Sequence, residues 1–202
     1  MNYYSYIVTR DFGFAPNPFW EYLTLATCKP HIRKVAQIED WIFGTGSTTR
    51  NMQNQIIFLM QVTGKLSFEQ YDSDPLFQCK KPVINGSLIQ IHGDNIYYID
   101  NGIWNQRNSH HSSADGTANM KHLKTDISGG SVLISSKFYY FGNNKFNVPS
   151  QFIDICSKTR DYKRNENVEL CERFIDWIGS HFTIGIHGNP IDWAEYNQLT
   201  LW

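Results

Sequence analysis

A chain of 202 residues with 41% hydrophobic and 18% charged residues can bury a core of its own and is not a disordered segment. With 18 Lys and Arg against 19 Asp and Glu the net charge is −1, so there is no global positive field to draw nucleic acid, and any such contact must be local. The longest apolar run, 56–60, is far short of the roughly 20 residues of a membrane span, and the polar opening Asn2-Tyr3 is unlike a secretory leader.

Cys28, Cys79, Cys156 and Cys171 are widely spaced and form no Cys-x-x-Cys pair, so the expectation is a cytoplasmic protein with reduced thiols. Residues 4–9 read as a strand, followed by a Pro- and Gly-rich turn over 11–19. A short strand at 23–27 and one or two helical turns at 30–37 precede a strand at 40–45. The run 54–63, closed by Gly64, is predicted to lie in the middle of a sheet. Ser67 can cap a helical turn that Pro75 stops.

Segments 87–91 and 95–99 read as short strands, whereas 105–128 has almost no apolar periodicity and reads as a long functional or disordered loop. Strand character returns over 131–141. At the end, Val168, Cys171, Phe174, Ile175, Ile178 and Phe182 recur at three- and four-residue steps, with Asn165 or Asn167 as cap and Glu166 and Glu169 near the positive helix terminus. The expectation is one α+β domain over 1–202: a core at 1–82, a long loop and returning strands at 83–150, and a helical segment at 151–202.

Several groups of residues can carry chemistry. Arg10, Asp11 and Asn17 emerge with Phe12, Phe14 and Phe19 from the end of a strand. Arg10 can grip phosphate or carboxylate, Asn17 can read a base edge and the rings can stack; local pairing and core filling are the alternative. His92, Asp94, Asn95 and Tyr97, then Ser109, His110 and His111, are suited to proton transfer or, as His92, Asp94 and His110, to a divalent metal, although the spacing fits no named metal motif. A loop tied down by hydrogen bonds explains them equally.

Trp41 precedes Gly44-Thr45-Gly46-Ser47, where Thr45 and Ser47 offer donors to an oxygen-rich ligand or simply line a hairpin turn. Lys145, Lys158, Arg160, Lys163 and Arg164 form a basic run fit for phosphate or for solvent. A Gly-x-Ser-x-Gly nucleophile is missing, and Cys28 beside Lys29 is either an activated thiol or a small buried one.

Residues 6–19, Ala26-Thr-Cys-Lys-Pro30, Asp40-Trp41 ahead of Gly44-Thr45-Gly46, His92-Gly-Asp-Asn-Ile-Tyr97, Ser109-His-His-Ser112 and Phe138-Tyr-Tyr-Phe-Gly142 together resemble the prokaryotic and phage nucleotide modification associated domain 2 family, over nearly the whole chain. The resemblance implies a link to modified-nucleotide pathways and nominates no catalytic residue. The order of elements in the first half is also similar to PUA-like barrels of the EVE and ASCH kind, which implies a strand-rich barrel body holding a base in a pocket; the second half has no counterpart there, and its C-terminal amphipathic helix and the peripheral helices rest on the residue pattern.

The leading expectation is therefore binding of a modified nucleobase, as nucleotide or nucleic acid. Arg10, Asp11, Phe12, Asn17, Phe19, Trp41, Thr45, Ser47, Asn95, Tyr97 and Ser109 would surround the ligand. The second is an enzyme with His110 or His111 as general base, oriented by Asp94. The third is an interaction subunit of a modification or defence operon. A cofactor is not specified beyond the possible divalent metal, no membrane partner is expected, and the oligomeric state is open.

Overall fold

A computed structural model describes residues 1–158 and 161–194. In chain order its strands are β1 (Tyr3–Val8), β2 (Leu23–Leu25), β3 (Trp41–Gly46), β4 (Gln55–Gln61), β5 (Gly64–Leu66), β6 (Tyr97–Asp100), β7 (Ile103–Gln106), β8 (Val132–Ser135), β9 (Lys137–Tyr140), β10 (Phe146–Asn147), β11 (Tyr162–Arg164) and β12 (Gly185–Ile186). The helices are α1 (Pro30–Val35), α2 (Phe68–Ser73), α3 (Leu88–Ile91), α4 (Met120–Ile127) and α5 (Val168–His181).

These elements form two compact units with interleaved segments. The first takes Met1–Asp11, Ala36–Thr63 and the chain from Ser135 on; the second takes Phe12–Val35 and Gly64–Ile134. The chain passes from one unit to the other after residues 11, 35, 63 and 134. The class is α+β.

In the first unit the sheet runs β11-β1-β3-β4-β9-β12, with β10 also on β4. β1 and β3 pair in parallel from Tyr3 opposite Trp41 to Val8 opposite Gly46, and β4 lies antiparallel between β3 and β9. Ile56, Ile57, Phe58, Leu59 and Met60 of β4 are wholly buried, which is why that run carries no polar alternation. The register between β3 and β4 shifts at Gly44/Thr45, and a Cβ on Gly44 would lie 2.0 Å from the Phe58 ring, so only glycine lets that ring cross the strand.

α5 packs Cys171, Phe174 and Ile178, all fully buried, on Phe43, Ile56, Leu59 and Phe152; Val168 at its start is exposed. Asn167 supplies the cap, its Oδ1 accepting from Leu170 N at 3.0 Å. Full burial of Phe174 contributes on the order of 2 to 3 kcal/mol.

In the second unit β2, β8 and β5 form a three-stranded sheet, and β6 and β7 form a hairpin with Tyr97 opposite Gln106. Phe14, Phe68, Tyr71, Phe77, Ile96, Tyr97, Leu123 and Val132 fill its core. The expected Ser67 cap is present as a full capping box: Ser67 Oγ accepts from Gln70 N at 3.1 Å while Gln70 Oε1 accepts from Ser67 N at 2.8 Å. Ser67→Ala should lower stability by about 1 kcal/mol, read as a lower denaturant midpoint at unchanged slope.

Three expectations need correction. Segment 87–91 is α3 rather than a strand, because Ser87 and Gln90 form a second capping box that outweighs the β-branched residues. The stretch 105–128 holds α4, capped by Asn119, whose apolar face is too thin to reveal itself in the sequence: Leu123 is its one buried hydrophobic residue. No closed barrel exists among the described residues; the six-strand path of the larger sheet ends at β11 and β12. No described helix is long and apolar enough to cross a membrane.

Candidate functional site

After β2 the chain turns through Ala26 and Thr27 into Cys28 and Lys29, both with left-handed backbone (φ 55° and 43°), before Pro30 opens α1. Non-glycine residues hold that conformation at a cost, so surrounding contacts must enforce it. Both backbone groups of Cys28 are tied: its N–H donates to Asp126 Oδ1 at 2.8 Å, and its carbonyl accepts from Arg33 Nε at 2.8 Å. Wholly buried Arg33 also donates to the carbonyls of Ser131 (2.8 Å) and Asp126 (2.5 Å), closing the C-terminal end of α4. Gly129 makes this possible, since a Cβ there would lie 2.7 Å from the guanidinium.

His111 reaches the same place from the turn at 109–112, where Ser109 N donates to Ser112 Oγ at 2.9 Å and Ser112 Oγ donates to the Arg107 carbonyl at 3.2 Å. Its Nε2 lies 3.6 Å from Cys28 Sγ, and its Nδ1 lies 3.0 Å from Asp126 Oδ2. Tyr97 OH donates to the same Oδ2 at 2.7 Å. Thiol, imidazole and carboxylate thus stand in line, the arrangement in which a third group orients the base of a nucleophile.

Burial works against charge on His111, but its hydrogen bonds to Asp126 and Cys28 and the charges of those groups outweigh it, raising the imidazole to about 9. His111 therefore carries its proton at neutral pH. Burial alone would raise Asp126, yet His111, Tyr97 and Arg33 together hold it below the usual carboxylate value. Cys28 is half-buried.

Aromatic rings wall the imidazole. Phe14 lies 4.7 Å from His111, and His122 packs at 4.5 Å with its Nδ1 3.1 Å from the His111 carbonyl. Exposed His110 sits 4.5 Å from Phe12 and 5.4 Å from Phe14, while Phe12 stacks on His92 at 5.5 Å. Phe12, His92, His110 and His111 are thus brought together as the sequence suggested.

Other suggested residues are spent inside the unit. Asn17, fully buried, donates to the His92 carbonyl at 3.0 Å and accepts from Phe19 N at 3.3 Å and Lys80 Nζ at 2.8 Å. Asp94 accepts from Thr24 Oγ1 and Tyr71 OH, each at 2.7 Å, and Asn95 donates to the Tyr71 and Phe77 carbonyls. Burial raises the Asp94 carboxyl and lowers buried Lys80 to about 8. His92 is also held low by burial, its Nδ1 2.9 Å from the Leu88 carbonyl.

His92, Asp94 and His110 are therefore not assembled for a metal, and the described residues contain no group of three His, Cys, Asp or Glu that could hold one. The carboxylate that orients His111 is Asp126, not Asp94.

Arg10, Asp11, Trp41, Thr45 and Ser47 belong to the first unit. There Asp11 accepts from Tyr140 OH at 2.6 Å, and its N–H donates to Asp192 Oδ2 at 2.6 Å, locking the end of β1 to the turn at 191–193. Arg10 reaches Asp192 at 3.4 Å, and Arg50 pairs with the same oxygen. Trp41 is buried beneath Lys137, Thr45 Oγ1 donates to the Tyr6 carbonyl, and Ser47 caps the turn at 48–50. Of the basic run, Arg160 lies outside the described residues.

A model of the family described as nucleotide modification associated domain 2 matches residues 1–197. No curated protein and no solved structure matches the chain.

Proposed function

The chain belongs to the nucleotide modification associated domain 2 family, which points to a role in a nucleotide-modification pathway, and within that role we propose that it is a cysteine-dependent enzyme. The observation that carries this reading is the Cys28–His111–Asp126 relay, with Sγ to Nε2 at 3.6 Å and Nδ1 to Oδ2 at 3.0 Å. Cysteine nucleophiles act as thiolates beside a charged imidazole, and His111 is charged at neutral pH.

Cys28 Sγ forms a bond to an electrophilic carbon of the substrate while the bond to the departing group breaks. His111 Nε2 gives its proton to that group, and Asp126 keeps the ring turned toward the sulfur. Water then attacks the sulfur-bound carbon, its proton passing to His111 as the thiolate is released. The substrate is a modified base or its nucleotide, stacked on exposed His110 and half-buried Phe12, with Phe14 buried behind them; stacking of this kind contributes about 1 to 3 kcal/mol per base. Binding of such a base without conversion is the second reading, and the exposure of His110 between two phenylalanines favours it.

Alkylation by iodoacetamide, followed residue by residue by mass spectrometry, separates the two. Exposure alone ranks Cys79 ahead of half-buried Cys28. An activated Cys28 should instead react about tenfold faster at pH 7, and His111→Ala should erase the difference. Rates that follow exposure, unmoved by His111→Ala, would leave the binding reading standing.

A further inference from the structure

The first unit contains a cleft of about 480 Å³, within the range that holds a small ligand. Gln53, Asn54, Gln55 and Asn147 line it above an apolar floor of Val148 and Ile153. Gln55 of β4 stands directly opposite Asn147 of β10, so the two amides project from the same side of the ribbon. Left-handed backbone at Asn54 (φ 61°) turns the chain into β4 beside them.

None of these four side-chain amides has a hydrogen-bond partner among the described residues, and the Gln55 Oε1 is shielded from water as well. A shielded acceptor without a donor costs free energy until a ligand supplies one. A second cavity of about 280 Å³ shares Gln53 and Asn54 and adds Thr48 and Lys158. Gly46 allows the loop that carries Thr48 and Gln53 to pass close to β3, since a Cβ at Gly46 would lie 2.2 Å from the Met52 carbonyl oxygen. Exposed Lys158 makes no ion pair among the described residues.

We propose that these joined cavities bind a nucleotide, the amides of Gln53, Asn54, Gln55 and Asn147 reading the edge of its base and Lys158 meeting its phosphate. A carboxamide sets a donor beside an acceptor, the complement of an adenine edge, and Lys158 is the single charged side chain lining either cavity among the described residues. Cys28 takes no part in this site, so it stands or falls apart from the thiol chemistry. A free nucleotide and a nucleotide within a single strand share this chemistry.

The test titrates the full chain with adenosine monophosphate by calorimetry and with a short fluorescent single-stranded oligo(dA) by anisotropy. Saturable binding in either arm is expected, and the tighter arm identifies the source. Gln55→Leu and Asn147→Ala should each weaken it about tenfold. Lys158→Gln should weaken it about threefold and lower its salt dependence. Asn147 is exposed, so its variant tests the site even if Gln55→Leu fails to fold.

Protein alkylated at Cys28 should bind as well as untreated protein. No saturation in either arm at millimolar ligand overturns the proposal, as does binding that ignores the amide variants or disappears on alkylation of Cys28.

Discussion

Cys28→Ser should abolish consumption of substrate while leaving the fold intact. Incubated with the nucleotide pool of cells that carry the modification pathway, the wild-type chain should deplete at least one component, followed by mass spectrometry. The serine variant should do so about 10³-fold more slowly or less, because a hydroxyl is a far weaker nucleophile than a thiolate at neutral pH. His111→Ala should cost a comparable factor. Asp126→Asn should retain more activity than either, since the relay's first two members stay in place.

Activities of the three variants should not combine additively, because residues that act as one unit fail together. A Cys28→Ser protein that consumes the same component at the wild-type rate would remove the covalent step. Cys79→Ser is the matched control: that thiol is exposed and donates to the Leu76 carbonyl.

The elements of the fold and the residues of the site differ in how far the sequence reveals them. α5 was readable because Cys171, Phe174 and Ile178 repeat on one helical face, and β4 because five consecutive buried residues leave no polar alternation. The imidazoles and Phe12 were recognisable as a cluster because several lie close together in the chain. Asp126 was not, although it completes the relay: it sits on α4, a helix with a single buried hydrophobic residue, inside a stretch that reads as loop.

Arg33 was equally hidden. On a short helix it reads as an exposed cation, and the carbonyls of Cys28, Asp126 and Ser131 together with the Asp126 carboxylate make its full burial tolerable. Cys28 is marked by Lys29 and by its place in Ala26-Thr-Cys-Lys-Pro30, whereas its positive φ is a product of tertiary contacts. The PUA-like order of elements misled because the same succession of strand, helix, loop and strand is compatible with parallel pairing of β1 and β3 in an open sheet.

Removal of Asp126 should have the largest effect on stability. Its carboxylate accepts from Cys28 N, Tyr97 OH and His111 Nδ1 and lies 3.8 Å from Arg33. Asp126→Ala leaves two cations without their counter-charge in a buried place, which costs about 3 to 5 kcal/mol. In a domain of this size that corresponds to a melting temperature lower by about 10 °C.

The pH dependence gives a second readout. The folded chain keeps the His111 proton to about pH 9, whereas an unfolded histidine loses it at 6.5, so the stabilisation is complete below 6.5 and declines as pH rises towards 9. Between those limits about 3 kcal/mol is at stake. Asp126, held low, acts with the opposite sign: its contribution is present above its ordinary value of 3.8 and fades as pH falls through its folded value.

Wild-type melting should therefore be highest near pH 5 to 6.5 and fall on the alkaline side, and Asp126→Ala should flatten that alkaline fall. A variant that melts lower by the same amount at every pH would show that Asp126 acts through packing alone and that His111 is not charged by it.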